Sequence, residues 1–173
     1  LAPVIPREQA AGRYRLLLST EAAEVTLATI DVDGVARVFE PPAAQSTPNI
    51  HFADQISLYG WNVAVDGDTL RVQIIWQAQT VMHENYKVFV HLLDDAGEIL
   101  AQRDAMPQAD AYPTSLWLPG EYVVDRYELP LQPGATALRI GLYNPADAVR
   151  LPIVDAERVE PRDFYELDLM PVF

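Results

Sequence analysis

From Thr69 the chain reads TLRVQIIWQAQ, with Leu70, Val72, Ile74 and Trp76 on one side of an extended backbone and Arg71, Gln73, Ile75 and Gln77 on the other. Side chains of a strand point alternately to opposite faces, so this two-residue period predicts a half-buried strand. The same signature recurs along the chain. YKVFVHLLD places Tyr86, Val88, Val90 and Leu92 together, and the run Asp94, Asp95, Ala96, Gly97 leads into EILAQRD as a hairpin would, with Gly97 taking a positive φ. QISLYGWNVAV runs into a turn at Asp66, Gly67 and Asp68, and EYVVDRYELPL and ALRIGLYNP are separated by Pro133 and Gly134. Leu138, Ile140 and Leu142 again share one face, and a terminal strand is expected around Phe164 to Leu169. Short alternating runs divided by turn residues predict an all-β sandwich of about eight to ten strands, either immunoglobulin-like or a jelly-roll of the galactose-binding type.

The first 48 residues differ in texture. RYRLLLS and AEVTLATIDV read as strands, VDGVARVF continues as a hairpin through Asp33 and Gly34, and residues 20–25 could hold a short helical turn. EPPAAQSTPN then reads as a linker. The expected division is therefore residues 1–48, a hairpin and proline-rich linker packed on the main domain, and residues 49–173, the sandwich.

Fourteen prolines, roughly 8% against a usual 5%, leave few places for long helices. A net charge of −13, from 25 acidic and 12 basic residues, would repel a polyanion, so nucleic-acid binding is not expected. No uncharged apolar run reaches the roughly 18 to 20 residues that span a bilayer. Leu1 is followed by two prolines within five residues rather than a basic head and an apolar run, so no signal peptide is read, and a start at Leu is expected of a piece cut from something longer. Absence of cysteine removes disulfides and thiolate chemistry without fixing the compartment.

Familiar catalytic and metal patterns each miss a requirement. His83-Glu84 opens like a zinc-protease helix, but Lys87 stands where the second histidine must be. Asp31-Val32-Asp33-Gly34 opens like a calcium loop, but Val35 and Pro42 occupy later ligand positions; Asp66 and Asp68 leave a loop-bound calcium open. Ser19, Ser46, Ser57 and Ser115 lack a nucleophile elbow, and His51, His83 and His91 lack ligand spacing, with His91 read on the outward face of its strand. No catalytic residue, metal site or cofactor is assigned. Aromatic residues remain: Trp76 reads as core, while Trp61, Tyr112 and Trp117 are the candidate ligand-binding residues, since aromatic faces stack on sugar rings. Tyr112 and Trp117 lie in AYPTSLWLPGE, where exposure is expected, though a loop tryptophan also commonly pins its loop.

The strand FVHLLD, the loop TSLWLPGE and the strand DRYELP lie within residues 50–153, a stretch that resembles a β-sandwich module at the C-terminus of bacterial multi-span membrane proteins. Those proteins are of the dolichyl-phosphate-mannose protein mannosyltransferase type. The resemblance implies an extracytoplasmic module, tethered to the membrane through its parent and carrying none of the catalytic acids. The expected function is that of a non-catalytic accessory domain that binds or positions a glycan, its partners being that glycan or the membrane domain of the same chain. The alternatives are a structural or protein-interaction spacer and an acidic glycoside hydrolase, which needs two carboxylates in a cleft.

Overall fold

The computed structural model describes residues 12–20, 23–32, 34–154 and 162–169. The chain divides into two compact units, Leu1–Arg37 and Val38–Phe173. The first holds strands β1 (Gly12–Ser19) and β2 (Glu24–Val32), paired antiparallel with a bulge between Leu16 and Leu17. At the end of the pair the Ala23 N–H donates to the Thr20 hydroxyl at 3.1 Å and the Thr20 N–H donates to the Ala23 carbonyl at 2.8 Å. Of the short helical turn expected at residues 20–25, Glu21 and Ala22 lie outside the described residues, and Glu24 and Val25 are in a strand instead.

Among the described residues no later strand pairs with β2 to complete the hairpin expected after it. Asp33 lies outside the described residues, residues 34–37 are irregular, and of VARVF only Val38 makes a bridge, to Tyr122. Pro41 and Pro42 follow after Phe39 and Glu40, and a residue without an N–H ends a ladder.

The second unit is an antiparallel sandwich. Its strands are β3 (Ile50–Phe52), β4 (Ile56–Asp66), β5 (Thr69–Ala78), β6 (Lys87–Leu93), β7 (Ile99–Ala105), β8 (Tyr122–Pro130), β9 (Ala137–Tyr143) and β10 (Tyr165–Asp168). One sheet has the order β3-β4-β5-β8 and the other β10-β9-β6-β7. Lettered A, B, C, C′, E, F and G from β4 to β10, the sheets read A-B-E and G-F-C-C′, the immunoglobulin-like order with β3 added beside A. A jelly-roll, built from two Greek keys, does not keep three consecutive strands such as β3, β4 and β5 side by side in one sheet.

The sequence period decides what lies between the sheets. Leu70, Val72, Ile74 and Trp76 from β5 meet Val88, Val90 and Leu92 from β6 and Leu138, Ile140 and Leu142 from β9, all nearly inaccessible to solvent. The expected hairpin at Asp94 forms, with Gly97 at φ +81° and Asp94 Oδ1 accepting from the N–H groups of Ala96 and Glu98.

Both outer faces are partly covered, which alternation alone did not indicate. Ile75, Phe89 and His91 point away from the core yet are 0%, 1% and 8% exposed. Over the first sheet, residues 43–47 pass so close that a Cβ on Gly60 would stand 2.7 Å from the Ser46 carbonyl oxygen, and Gly60 lies opposite Ile75. Over the second, a Cβ on Gly141 would meet the Phe89 ring and stand 2.8 Å from the Asp163 carbonyl oxygen, while the Arg150 guanidinium lies 4.5 Å over that ring. Each strap crosses its sheet at a glycine because no other residue leaves room for it.

Candidate functional site

The loop between β7 and β8, residues 106–121, is fixed by polar groups placed inside the protein. In β8 the inward phase runs Val123, Asp125, Tyr127, Leu129, so a carboxylate occupies a core position and is fully buried. Asp125 Oδ2 accepts from the Tyr127 hydroxyl at 2.6 Å, and Oδ1 accepts from the N–H groups of Gln108 at 2.8 Å and Arg126 at 3.1 Å. Burial pushes the Asp125 carboxyl above its ordinary pKa, and these three donors oppose the shift. The Trp76 indole N–H favours the ionised carboxylate without making a hydrogen bond to it. Burial, then the Asp125 charge, raises the Tyr127 phenol.

The segment tied to Asp125 is strained. Gln108, Ala109 and Asp110 take φ values of 54°, 54° and 70° in succession, each in the left-handed region that costs a non-glycine residue roughly 1–2 kcal/mol. The Asp110 side chain offsets part of this by accepting from the Met106 N–H at 2.8 Å. Backbone strain held in place by surrounding bonds is a feature of ligand sites.

Further along the loop, Glu121 is 1% exposed. Its Oε1 accepts from the Tyr112 hydroxyl at 2.8 Å and its Oε2 from the Leu118 N–H at 2.9 Å, and the Trp117 indole donates to the Tyr112 carbonyl at 3.1 Å. The Thr114 hydroxyl donates to the Glu84 carbonyl and accepts from the Tyr86 N–H. Tyr112 and Trp117 therefore differ from their expected exposure. At 3% and 0% exposed they present no face to a ligand, and their rings, 6.4 Å apart, pin the loop. Trp61, half-buried on β4 and packed against the core, joins neither of them in a ring contact, and its buried indole N–H has no hydrogen-bond partner. The three aromatic candidates are not brought together.

An open surface lies beside the pinned loop. The strand register sets Asn62, Gln73 and Arg126 in one row across β4, β5 and β8, and Ala64, Arg71 and Glu128 in the next but one. Between these rows runs a trough of about 270 Å³, ended by Gln45 and kept open by the small Ala64 side chain. Asn62 donates to the Gln73 Oε1 at 2.6 Å and accepts from the Gln45 N–H at 2.7 Å, which fixes both amides. Arg71 is held by Asp66 at 2.6 Å and by Glu128 at 3.4 Å. Arg126 and Glu128 also wall a second depression of about 400 Å³, bounded by Arg103 and Ala105 of β7 and by Ala109 of the strained turn. The two depressions share that wall, so they form a groove running from the sheet face over the β8 edge.

Other chemistry-bearing groups are placed differently. Ser57 and His51, cross-strand partners on β4 and β3, approach to 2.9 Å between Oγ and Nδ1. Beyond the ring is the Asn49 amide at 3.5 Å rather than a carboxylate, and Ser57 is 0% exposed, which closes its hydroxyl to a substrate. His91 lies on the outward face as expected but is sealed there, 3.6 Å from Asp104. Burial lowers its pKa, with Arg150 and Arg139 acting in the same direction and Asp104 against. His83 and Glu84 are exposed loop residues, as read from the sequence. Asp31 is engaged by Arg13 at 2.8 Å and Asp66 by Arg71, and among the described residues no group of three or more carboxylate or histidine side chains gathers as a metal site would. Nor is any helix among them long and apolar enough to cross a membrane.

Sequence reasoning missed the groove because a row across a sheet depends on register, which a single strand's alternation does not encode. One signal was available: Asp125 falls in phase with Val123, Tyr127 and Leu129, a carboxylate where the period demands an apolar residue. Comparison with protein-family models, with curated proteins and with solved structures finds no match for the chain.

Proposed function

We propose that the chain is a non-catalytic accessory module that holds a glycan in the groove formed by β4, β5, β8 and the β7–β8 loop. The observation that carries this reading is the groove's lining: ordered amides at Gln45, Asn62 and Gln73, the charged Arg71, Arg126 and Glu128, and a floor of extended backbone. Saccharides are bound by fixed polar side chains that match hydroxyl groups over an apolar floor, and preorganised donors lower the entropic cost of binding. The pinned, strained loop at one end supplies the rigidity. The aromatic stacking platform first expected at Tyr112 and Trp117 has no part in this version of the site.

The resemblance of FVHLLD, TSLWLPGE and DRYELP to a module of membrane glycosyltransferase-like proteins supports the same reading and suggests an extracytoplasmic setting, with the groove presenting a glycan or acceptor to the parent protein. Screening the protein on a glycan array, followed by calorimetric titration of the hits, tests it. Ala64 is exposed, so Ala64→Trp is expected to fill the trough and abolish binding while leaving the melting temperature within about 2 °C. An array without hits, or affinity unchanged in Ala64→Trp, would sink the proposal.

A further inference from the structure

Two arginines border the groove with no partner among the described residues and stand on one depression. Arg103 on β7 and Arg126 on β8 come from opposite sheets, each at a strand that ends its sheet, and both border the 400 Å³ depression. Neither guanidinium has a carboxylate or hydrogen-bond partner among the described residues, whereas Arg13, Arg71, Arg139 and Arg150 are each engaged by a carboxylate. In a chain with 25 acidic residues and 12 basic ones, carboxylates outnumber cations about two to one, yet two arginines without a carboxylate partner face the same cleft.

The acids nearest to them are already committed. Glu128 is shared with Arg71, Asp110 accepts the Met106 N–H, and Asp125 is buried with three donors of its own. The more distant negative surplus does not cancel the pair, because charges separated by more than about 8 Å are largely screened at physiological salt. A guanidinium presents a planar fork of donors that fits a carboxylate or phosphate in a bidentate manner.

We propose that the ligand of this groove is an anionic saccharide, whose carboxylate or phosphate is clamped between Arg103 and Arg126 while its neutral ring lies in the trough beside Gln73. This rests on the glycan reading above and specifies the ligand class. The strained turn at Gln108–Asp110 borders the clamp at Ala109.

Titration of the whole chain with a hyaluronan tetrasaccharide, its carboxyl-reduced neutral counterpart and glucose 1-phosphate tests the clamp. The tetrasaccharide or the sugar phosphate is expected to bind at least about tenfold more tightly than the neutral form, the size of one charge-assisted hydrogen bond, and to weaken as salt rises. The preferred of the two identifies carboxylate or phosphate as the anion. Arg103→Gln and Arg126→Gln are each expected to remove that preference, with Arg126→Lys restoring part of it and melting temperatures unchanged. Equal binding of acidic and neutral tetrasaccharides, unaffected by the arginine variants, would overturn the clamp and leave the glycan reading standing. No binding by any of the probes, together with an array without hits, would overturn both.

Discussion

Asp125 is the residue on which the loop, and through it the groove, depends. A carboxylate at a core position is costly to desolvate, and three hydrogen bonds from Tyr127, Gln108 and Arg126 make it tolerable. Its raised pKa has a consequence for stability. The folded state binds the proton more readily than the unfolded chain, so the stability linked to this group is greatest below the ordinary value of 3.8 and is lost as pH rises through the raised folded value. The slope in that window reaches at most about 1.4 kcal/mol per pH unit. Asp125→Asn keeps an oxygen to accept from Gln108 and Arg126, so it is expected to fold and to flatten this slope. Denaturant unfolding of both proteins across the acidic range checks it, and parallel pH profiles would contradict the assignment.

Among the elements, the strands were legible and the straps were not. β5, β8 and β9 carry a two-residue period over several residues, and a chain with that period has one way to bury its apolar side. Residues 43–47 and the segment around Arg150 and Asp163 carry no period, and they cover Ile75 and Phe89 through close approach at glycine. A glycine inside a strand signals such an approach in general, but the sequence does not say what approaches. The same limit applies to Tyr112 and Trp117, whose loop position suggested exposure until Glu121 and the Tyr112 carbonyl took up their polar groups. Gly60→Ala should force the strap off the sheet, because the new methyl would meet the Ser46 carbonyl and the Ala44 side chain. The expected cost is about 1–3 kcal/mol, with faster amide exchange at Trp61, whose N–H donates to Ser46. Unchanged exchange at Trp61 would show that the strap yields without detaching.

At the scale of the whole molecule, an acidic chain builds an immunoglobulin-like sandwich whose carboxylates mostly lie in turns and on outer faces, as Asp66, Asp68, Asp95 and Glu98 do. The fold class and the strand sequence followed from alternation. Strand order, and with it the rows that build the groove, followed from which strands crossed between sheets, which no local pattern records. In the proposed reading a glycan sits on the open face of β4, β5 and β8, with the loop beside it. Mapping amide chemical shifts during titration with the hyaluronan tetrasaccharide tests it most directly. The shifts should cluster at Asn62, Gln73, Arg103, Ala109, Arg126 and Glu128 and leave β9 and β10 unmoved; saturable shifts centred on the β9–β10 face would contradict it.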